Sequence, residues 1–187
     1  MATGKGQLPT MHPVTGFKLG IASAGIKTPG RKDLVVMEIA EGSTVAGLFT
    51  QNAFCAAPVT IAKAHLASTT PKYLLVNTGN ANAGTGEQGL SDALQSCDVL
   101  AAITSVKKDQ ILPFSTGVIG ELMPMDRLLK GLPIAAAALS QEGWADAAAA
   151  ILTTDTRAKG ASLQYGKGSK ITMTGITKGS GMIKPNM

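Results

Sequence analysis

Tyr73-Leu74-Leu75-Val76-Asn77-Thr78-Gly79-Asn80-Ala81-Asn82-Ala83-Gly84-Thr85-Gly86-Glu87-Gln88 joins a compact apolar run, a loop of asparagines and small residues, and a helix opening. Tyr73 to Asn77 reads as a buried strand. In the polar loop from Thr78 to Gly86, Asn77, Asn80 and Asn82 are interleaved with small residues. Their side chains can hold a tight loop through Asx turns while glycine supplies positive φ, a structural role favoured here over direct substrate contact. Thr85-Gly86-Glu87-Gln88 has capping-box spacing, and the helix it opens carries Leu90, Leu94, Cys97 and Ala101 as one apolar stripe. Strand, loop and covering helix together predict a sheet with helices packed on it.

The flanks extend this pattern. Upstream, the first thirty residues are rich in glycine and proline and read as loop. Leu34 to Ile39 reads as a strand, with Thr44 to Phe49 as its hairpin partner across Glu41-Gly42-Ser43. Val59 to Ile61 leads into a short helix through Ala64 and Leu66. Downstream, Ile111 to Phe114 predicts another short strand, because Pro113 would break a helix. Asp126 to Lys130 and Ile134 to Leu139 read as two short helical pieces, and Ser140 as the cap of a helix from Gln141 to Leu152 with Trp144, Ala148 and Ile151 on one face. The tail from Ser162 predicts a hairpin, with Leu163 and Tyr165 facing Ile171 and Met173 across Gly166-Lys167-Gly168. Strands in groups with helices between them give a layered mixed α/β or α+β fold, in a single domain covering 1–187.

Composition removes several function classes. The chain has 187 residues, 44% hydrophobic and 16% charged, so it can bury a real core and is not disordered. No apolar run approaches the length needed to span a bilayer, and Met1 to Pro13 lack the apolar segment of a secretory signal. The default is a cytoplasmic protein. The net charge of +5 is thinly spread, and with Trp144, two tyrosines and four phenylalanines there is no stacking platform for nucleic acid. Small anionic ligands fit that surplus better. Cys55 and Cys97 are too few for a disulfide framework. His12 and His65 give a histidine-based metal site or a Ser-His-Asp triad little to work with.

Three stretches carry chemistry. Gly84 to Gly89 matches G-x-G-x-x-G, but Thr78 to Ala83 separate it from the strand, so it reads as a helix-opening turn and not a dinucleotide loop. Ser115-Thr116-Gly117 follows a short buried strand and sets a hydroxyl beside an almost unshielded backbone N–H. Those are the parts of an oxyanion hole, although by itself the segment reads more readily as an ordinary turn. Thr153-Thr154-Asp155-Thr156-Arg157 sits where the Trp144 helix should end, and a hydroxyl cluster beside Arg157 would suit a carboxylate ligand. Lys178, in a glycine-flanked turn, could supply a further cation. The chain then runs through a glycine-rich turn into Met182-Ile183-Lys184-Pro185-Asn186-Met187 and stops, an ending expected of a piece cut from something larger.

Gly25-Ile26-Lys27, Gly47-Leu48-Phe49-Thr50-Gln51-Asn52, Ala56-Ala57-Pro58-Val59, Asn77 to Gly86, Ser115 to Glu121, Thr153 to Thr156 and Lys178 to Ile183 occur in that order. Together they closely resemble the α chain of the ornithine acetyltransferase family of arginine biosynthesis, the bifunctional glutamate N-acetyltransferases. The resemblance covers nearly the whole chain. It implies an αββα layering of mixed sheets, completed by a separate β chain, as in certain self-processing aminopeptidases. It also implies a precursor that cuts itself before a threonine, at or just after Met187, into the two chains of an α2β2 heterotetramer. The nucleophilic threonine then lies on the β chain.

On that resemblance Thr116 and Gly117 form the oxyanion hole, and Thr153, Thr154 and Lys178 are substrate-binding positions. The substrates are N2-acetyl-L-ornithine and L-glutamate, with acetyl-CoA a second donor in some members and no other cofactor or metal. Lys184 departs from the small or acidic residue of many relatives. Two other readings use the same residues: an N-terminal-nucleophile hydrolase or aminopeptidase on the same scaffold, and a non-catalytic binding protein complete at 187 residues.

Overall fold

The computed structural model of the chain describes residues 7–166, 170–179 and 186–187. Its main sheet has the order β1 (Phe17–Ala22), β2 (Leu34–Ile39), β3 (Tyr73–Asn80) and β4 (Ile111–Val118). β2 runs antiparallel to both β1 and β3, while β3 and β4 are parallel, so the sheet is mixed. A parallel pair needs a long crossover. α2 (Gly86–Thr104) and a short 3-10 turn at Lys108–Gln110 supply it.

Both faces of the sheet are covered near its centre, which is why β2 is an unbroken apolar run apart from Glu38. Leu34, Val36 and Leu75 face one way, into a core shared with Cys97 and Leu100 of α2 and with Leu128 and Leu132 of α3 (Met125–Ala137). α1 (Ala57–Ser68) completes that helical layer against β4. Leu19, Val35 and Met37 face the other way, onto Trp144, Ala147 and Ala150 of α4 (Trp144–Ala150), with Ile176 of β6 beside them. Phe17 stacks on Trp144 with ring centroids 5.2 Å apart. β5 (Lys159–Tyr165) and β6 (Ile171–Thr177) form a separate antiparallel ladder, as the hairpin pattern predicts, with Leu163 opposite Met173 and Tyr165 opposite Ile171. Lys167 and Gly168 of the connecting turn lie outside the described residues. The architecture is α+β and layered.

Several local expectations give way to tertiary packing. Thr44 to Phe49 form no strand, because β1 and β3 already occupy both edges of β2. β1 itself lies in the segment that reads as loop. Its Gly20 interrupts the apolar pattern, yet a Cβ there would sit 1.9 Å from the Ala135 carbonyl oxygen, so the close seat of α3 on the sheet demands glycine. The two helical pieces on either side of Pro133 are one helix. Leu128, Leu132 and Ala135 are buried along it, and that burial outweighs the hydrogen bond the proline removes.

Two caps are also corrected. Thr85 does not cap α2; its hydroxyl donates to Asn82 Oδ1 at 2.8 Å. Ser140 pairs its backbone with Leu19 of β1, and the following helix starts later, at Trp144. The face of α2 is rotated from the expected stripe: Cys97 and Ala101 are buried, but Leu90 is 38% exposed, and Asp92, Ala93 and Ser96 turn inward instead.

Cys97 has no exposed surface, and burial pushes its thiol up to about 12, with Asp98 adding to the shift and Lys108 opposing it. The thiol therefore stays protonated and shielded. In the native protein a maleimide is expected to label the partly exposed Cys55 and spare Cys97 until the chain is unfolded. Native labelling of Cys97, seen by peptide mapping, would contradict this packing.

Candidate active site

Because β3 and β4 are parallel, the segments that follow them leave the sheet at the same end, the usual place for a site in such sheets. Thr116 lies opposite Thr78, and Gly117 opposite Gly79, with a register shift at Gly79/Asn80 that also sets Asn80 against Thr116. This irregularity bends the strand ends where they would meet a ligand. Gly117 has φ +151°, and a Cβ on it would sit 2.2 Å from the Gly79 carbonyl carbon and 2.4 Å from the Asn80 nitrogen. Only glycine fits.

The expected asparagine loop starts later than Thr78, because β3 runs on to Asn80; Asn77 and Asn80 are strand residues, only Asn82 lies beyond, and all three are under 5% exposed. Asn82 Nδ2 donates to the Gly89 carbonyl at 2.8 Å and its backbone N–H to Asn80 Oδ1 at 2.7 Å. The G-x-G-x-x-G stretch is accordingly the turn that opens α2.

The hydroxyl cluster reaches this end of the sheet through a contact between distant parts of the chain. Thr78, paired with Thr116, donates its Oγ1 proton to the carbonyl of Ala150 at 3.0 Å, at the end of α4. Thr153 follows three residues later, and Lys178 Nζ donates to its Oγ1 at 3.2 Å. Asp155 fixes the arrangement: Lys159 Nζ of β5 reaches Oδ1 at 2.9 Å, and the Gly179 N–H donates to Oδ2 at 2.8 Å. Burial holds the Lys178 ammonium below the usual lysine range, with Asp155 opposing that shift. Thr154 is exposed, and Arg157 keeps a buried Nε without a partner among the described residues. Ser180 to Ile183, the remainder of the lysine motif, and Lys184 lie outside the described residues.

A cleft of about 230 Å³ opens between α1 and the edge strand β4, lined by Leu48, Phe49, Thr50, Val59, Phe114 and Thr116 among others. The Gln51 N–H donates to the Asn186 carbonyl at 2.7 Å, so the segment next to Met187 lies against the residue following Thr50. A second hollow, of about 390 Å³, is lined by Tyr73, Ile103, Thr104 and Pro133. It sits at the start of β3, the end away from Thr78, and holds none of the candidate residues. Among the described residues no three His, Cys, Asp or Glu side chains are grouped to hold a metal ion, and no helix is long and apolar enough to cross a membrane.

The structure thus sets Thr116 and Gly117 at the end of the parallel strands and joins Lys178 to Thr153, which follows the Ala150 carbonyl held by Thr78; the cleft lined by Thr116 includes neither Thr153 nor Lys178. The family model of the ArgJ family matches residues 18–187. The chain belongs to the ArgJ family. It is 59% identical over 188 residues to the arginine biosynthesis bifunctional protein ArgJ of Pseudomonas syringae pv. tomato, and 60% identical to that of Pseudomonas fluorescens. Both matches cover 100% of this chain but 46% of the relative, so the chain spans about half the length of these ArgJ proteins. Among solved structures, the ArgJ protein of Bacillus halodurans superposes with a TM-score of 0.83 at 36% identity, covering 92% of this chain and 91% of that one. The ornithine acetyltransferase of Mycobacterium tuberculosis, solved with ornithine, superposes with a TM-score of 0.85 at 32% identity, covering 93% of each chain.

Sequence reasoning missed Thr78 and Asp155 in this ArgJ-family chain. Thr78 acts across 72 positions, a contact with no local signal. Asp155 stands in plain view inside the Thr153–Arg157 cluster, but its partners, Lys159 and Gly179, are set by the β5–β6 ladder.

Proposed function

We propose that this chain is the α subunit of a glutamate N-acetyltransferase, which moves acetyl from N2-acetyl-L-ornithine to L-glutamate in cytoplasmic L-arginine biosynthesis. The observation that carries this reading is the Thr116–Gly117 bend at the end of parallel strands in an ArgJ-family chain. The nucleophile is the N-terminal threonine of a β chain released from the same precursor by cleavage at or just after Met187, the two chains assembling as α2β2 and completing the αββα layering. The coverage figures support two chains: this sequence matches over nine-tenths of the solved relatives' chains but under half of the full-length ArgJ proteins.

The chemistry runs in two steps. The threonine Oγ attacks the acetyl carbonyl of N2-acetyl-L-ornithine while the threonine's own α-amine takes the hydroxyl proton. Negative charge develops on the carbonyl oxygen, where the Thr116 hydroxyl and the Gly117 N–H donate to it. Collapse breaks the amide C–N bond, the departing ornithine amine takes up the proton, and an acetyl-threonine ester remains. The amine of L-glutamate then attacks that ester through the same oxyanion hole, yielding N-acetylglutamate and free threonine. Acetyl-CoA could load the same threonine by expelling its thiol.

Thr153, Thr154 and Lys178 hold the substrate, with the Lys178 ammonium pairing with a substrate carboxylate. Lys178→Met is expected to raise KM for carboxylate-bearing substrates with a smaller change in kcat. Since burial lowers the pKa of Lys178, its charge is lost at a pH below the usual lysine range. The KM of the unaltered enzyme should therefore rise with pH in that window, and the variant's should stay flat. A variant with both constants and the pH profile unchanged would make Lys178 a bystander.

The reaction class is tested on protein made from the full reading frame by following free acetate and N-acetylglutamate together. With glutamate saturating, N-acetylglutamate is expected to account for nearly all acetyl released. Acetate release that glutamate does not suppress would indicate a hydrolase.

A further inference from the structure

We propose that Asn77, Asn80 and Ser115 are positioning residues that hold the Thr116–Gly117 bend from both sides. This rests on the oxyanion reading above.

The two strand ends have to keep an irregular path. Thr116 pairs with both Thr78 and Asn80, and Gly117 lies against the Gly79–Asn80 peptide more closely than any side chain would permit. The ladder is irregular at Gly79/Asn80 and resumes beyond it, where the Ala81 N–H donates to the Val118 carbonyl at 2.9 Å and the Gly120 N–H to the Ala83 carbonyl at 2.8 Å, so the irregular step itself is where side chains can fix the path. On the near side, the Ser115 hydroxyl, one residue before Thr116, donates to Asn77 Oδ1 at 2.5 Å. On the far side, Asn80 Nδ2 donates to the carbonyls of Glu121 and Leu122 at 3.0 and 3.1 Å. Asn77 Nδ2 links the two grips by donating to the Asn80 carbonyl at 3.0 Å. Both amide orientations are set by their partners: each Nδ2 faces carbonyls, Asn80 Oδ1 faces the Asn82 N–H, and Asn77 Oδ1 faces the serine hydroxyl. With 3% and 4% exposure, neither asparagine has water as a ready substitute partner.

The neutral amide also suits the place. An amide donates and accepts at once, whereas a carboxylate at position 77 would set an acceptor against the Asn80 carbonyl. It would also bring negative charge next to the strand that carries Thr116. An oxyanion hole works because its donors are fixed before charge develops, so loosening this network should slow the chemical steps and leave ground-state binding intact.

The test uses the enzyme from its full reading frame, with kcat and KM for N2-acetyl-L-ornithine measured at saturating glutamate. Ser115→Ala is expected to lower kcat about tenfold, the rate equivalent of one hydrogen bond, with KM unchanged. Ser115→Thr, which keeps the hydroxyl and suits a strand, should recover most of that loss. Asn77→Asp should lower kcat by roughly 10- to 100-fold, as a small misplacement does. If Asn77→Asp fails to fold, the Ser115 pair decides. Ser115→Ala with kcat within about twofold of the unaltered enzyme, far short of one hydrogen bond, would overturn the proposal. So would equal impairment in the alanine and threonine variants, or an effect confined to KM. An unaltered enzyme that forms no acetyl-enzyme would instead remove the acetyltransferase reading itself.

Discussion

Thr116→Val is expected to lower kcat by roughly 100- to 1,000-fold, the usual effect of removing one oxyanion donor, while KM changes little. Valine preserves the β-branched shape that suits a strand, and Thr116 is only partly buried at the end of β4, so the fold should survive. In the proposed role, what is lost is a hydroxyl that interacts far more strongly with the charged intermediate than with the neutral carbonyl of the substrate. Such an interaction lowers the barrier without tightening binding. In the proposed mechanism both half-reactions pass through the same tetrahedral geometry, so formation of acetyl-enzyme from N2-acetyl-L-ornithine and its discharge to glutamate should slow together. An unchanged kcat would remove Thr116 from the mechanism.

Gly117→Ala is expected to damage both stability and turnover. The added methyl would meet the Gly79 carbonyl carbon at 2.2 Å and the Asn80 nitrogen at 2.4 Å, and φ of +151° is disfavoured for any residue with a Cβ. Backbone strain and overpacking together should cost about 2–5 kcal/mol. In a chain of this size that lowers Tm by roughly 5–15 °C. Relief requires β4 to move away from β3, which drags Thr116 and the position 117 N–H out of line, so kcat should fall further than stability alone explains. A variant with unaltered Tm and activity would mean that the two strand ends are not packed as described.

Those strand ends were the most legible part of the chain, because what defines them is local. The Tyr73–Asn77 run and the opening of α2 stand out in sequence, and a hydroxyl beside a glycine marked Thr116 and Gly117, although both strands run past their apolar stretches, to Asn80 and Val118. Elements whose state depends on distant neighbours were not legible. Phe17, Leu19 and Ile21 alternate as a half-buried strand should, but Gly20 disguised β1, and glycine is there because the Ala135 carbonyl of α3 leaves no room for a side chain. Thr44 to Phe49 have strand composition yet find both edges of β2 taken. Pro133 reads as a helix break until the burial of Leu132 and Ala135 is known.

The site divides in the same way. Its residues could be named from motifs, and the resemblance to the ornithine acetyltransferase family supplied their expected roles. Their assembly could not be read. It depends on the bond from Thr78 to Ala150 and on the Asp155 clamp, both of which exist only once the sheet and the β5–β6 ladder have formed.

Intact-mass analysis under denaturing conditions, on protein expressed from the full reading frame and incubated with N2-acetyl-L-ornithine, tests the central claim most directly. Two chains should be found, one ending at or next to Met187 and the other beginning with threonine. The second alone should gain the mass of one acetyl group and lose it when glutamate is added. A single uncut chain, or two chains of which neither carries acetyl, would contradict an acetyl-threonine transferase built around Thr116 and Gly117.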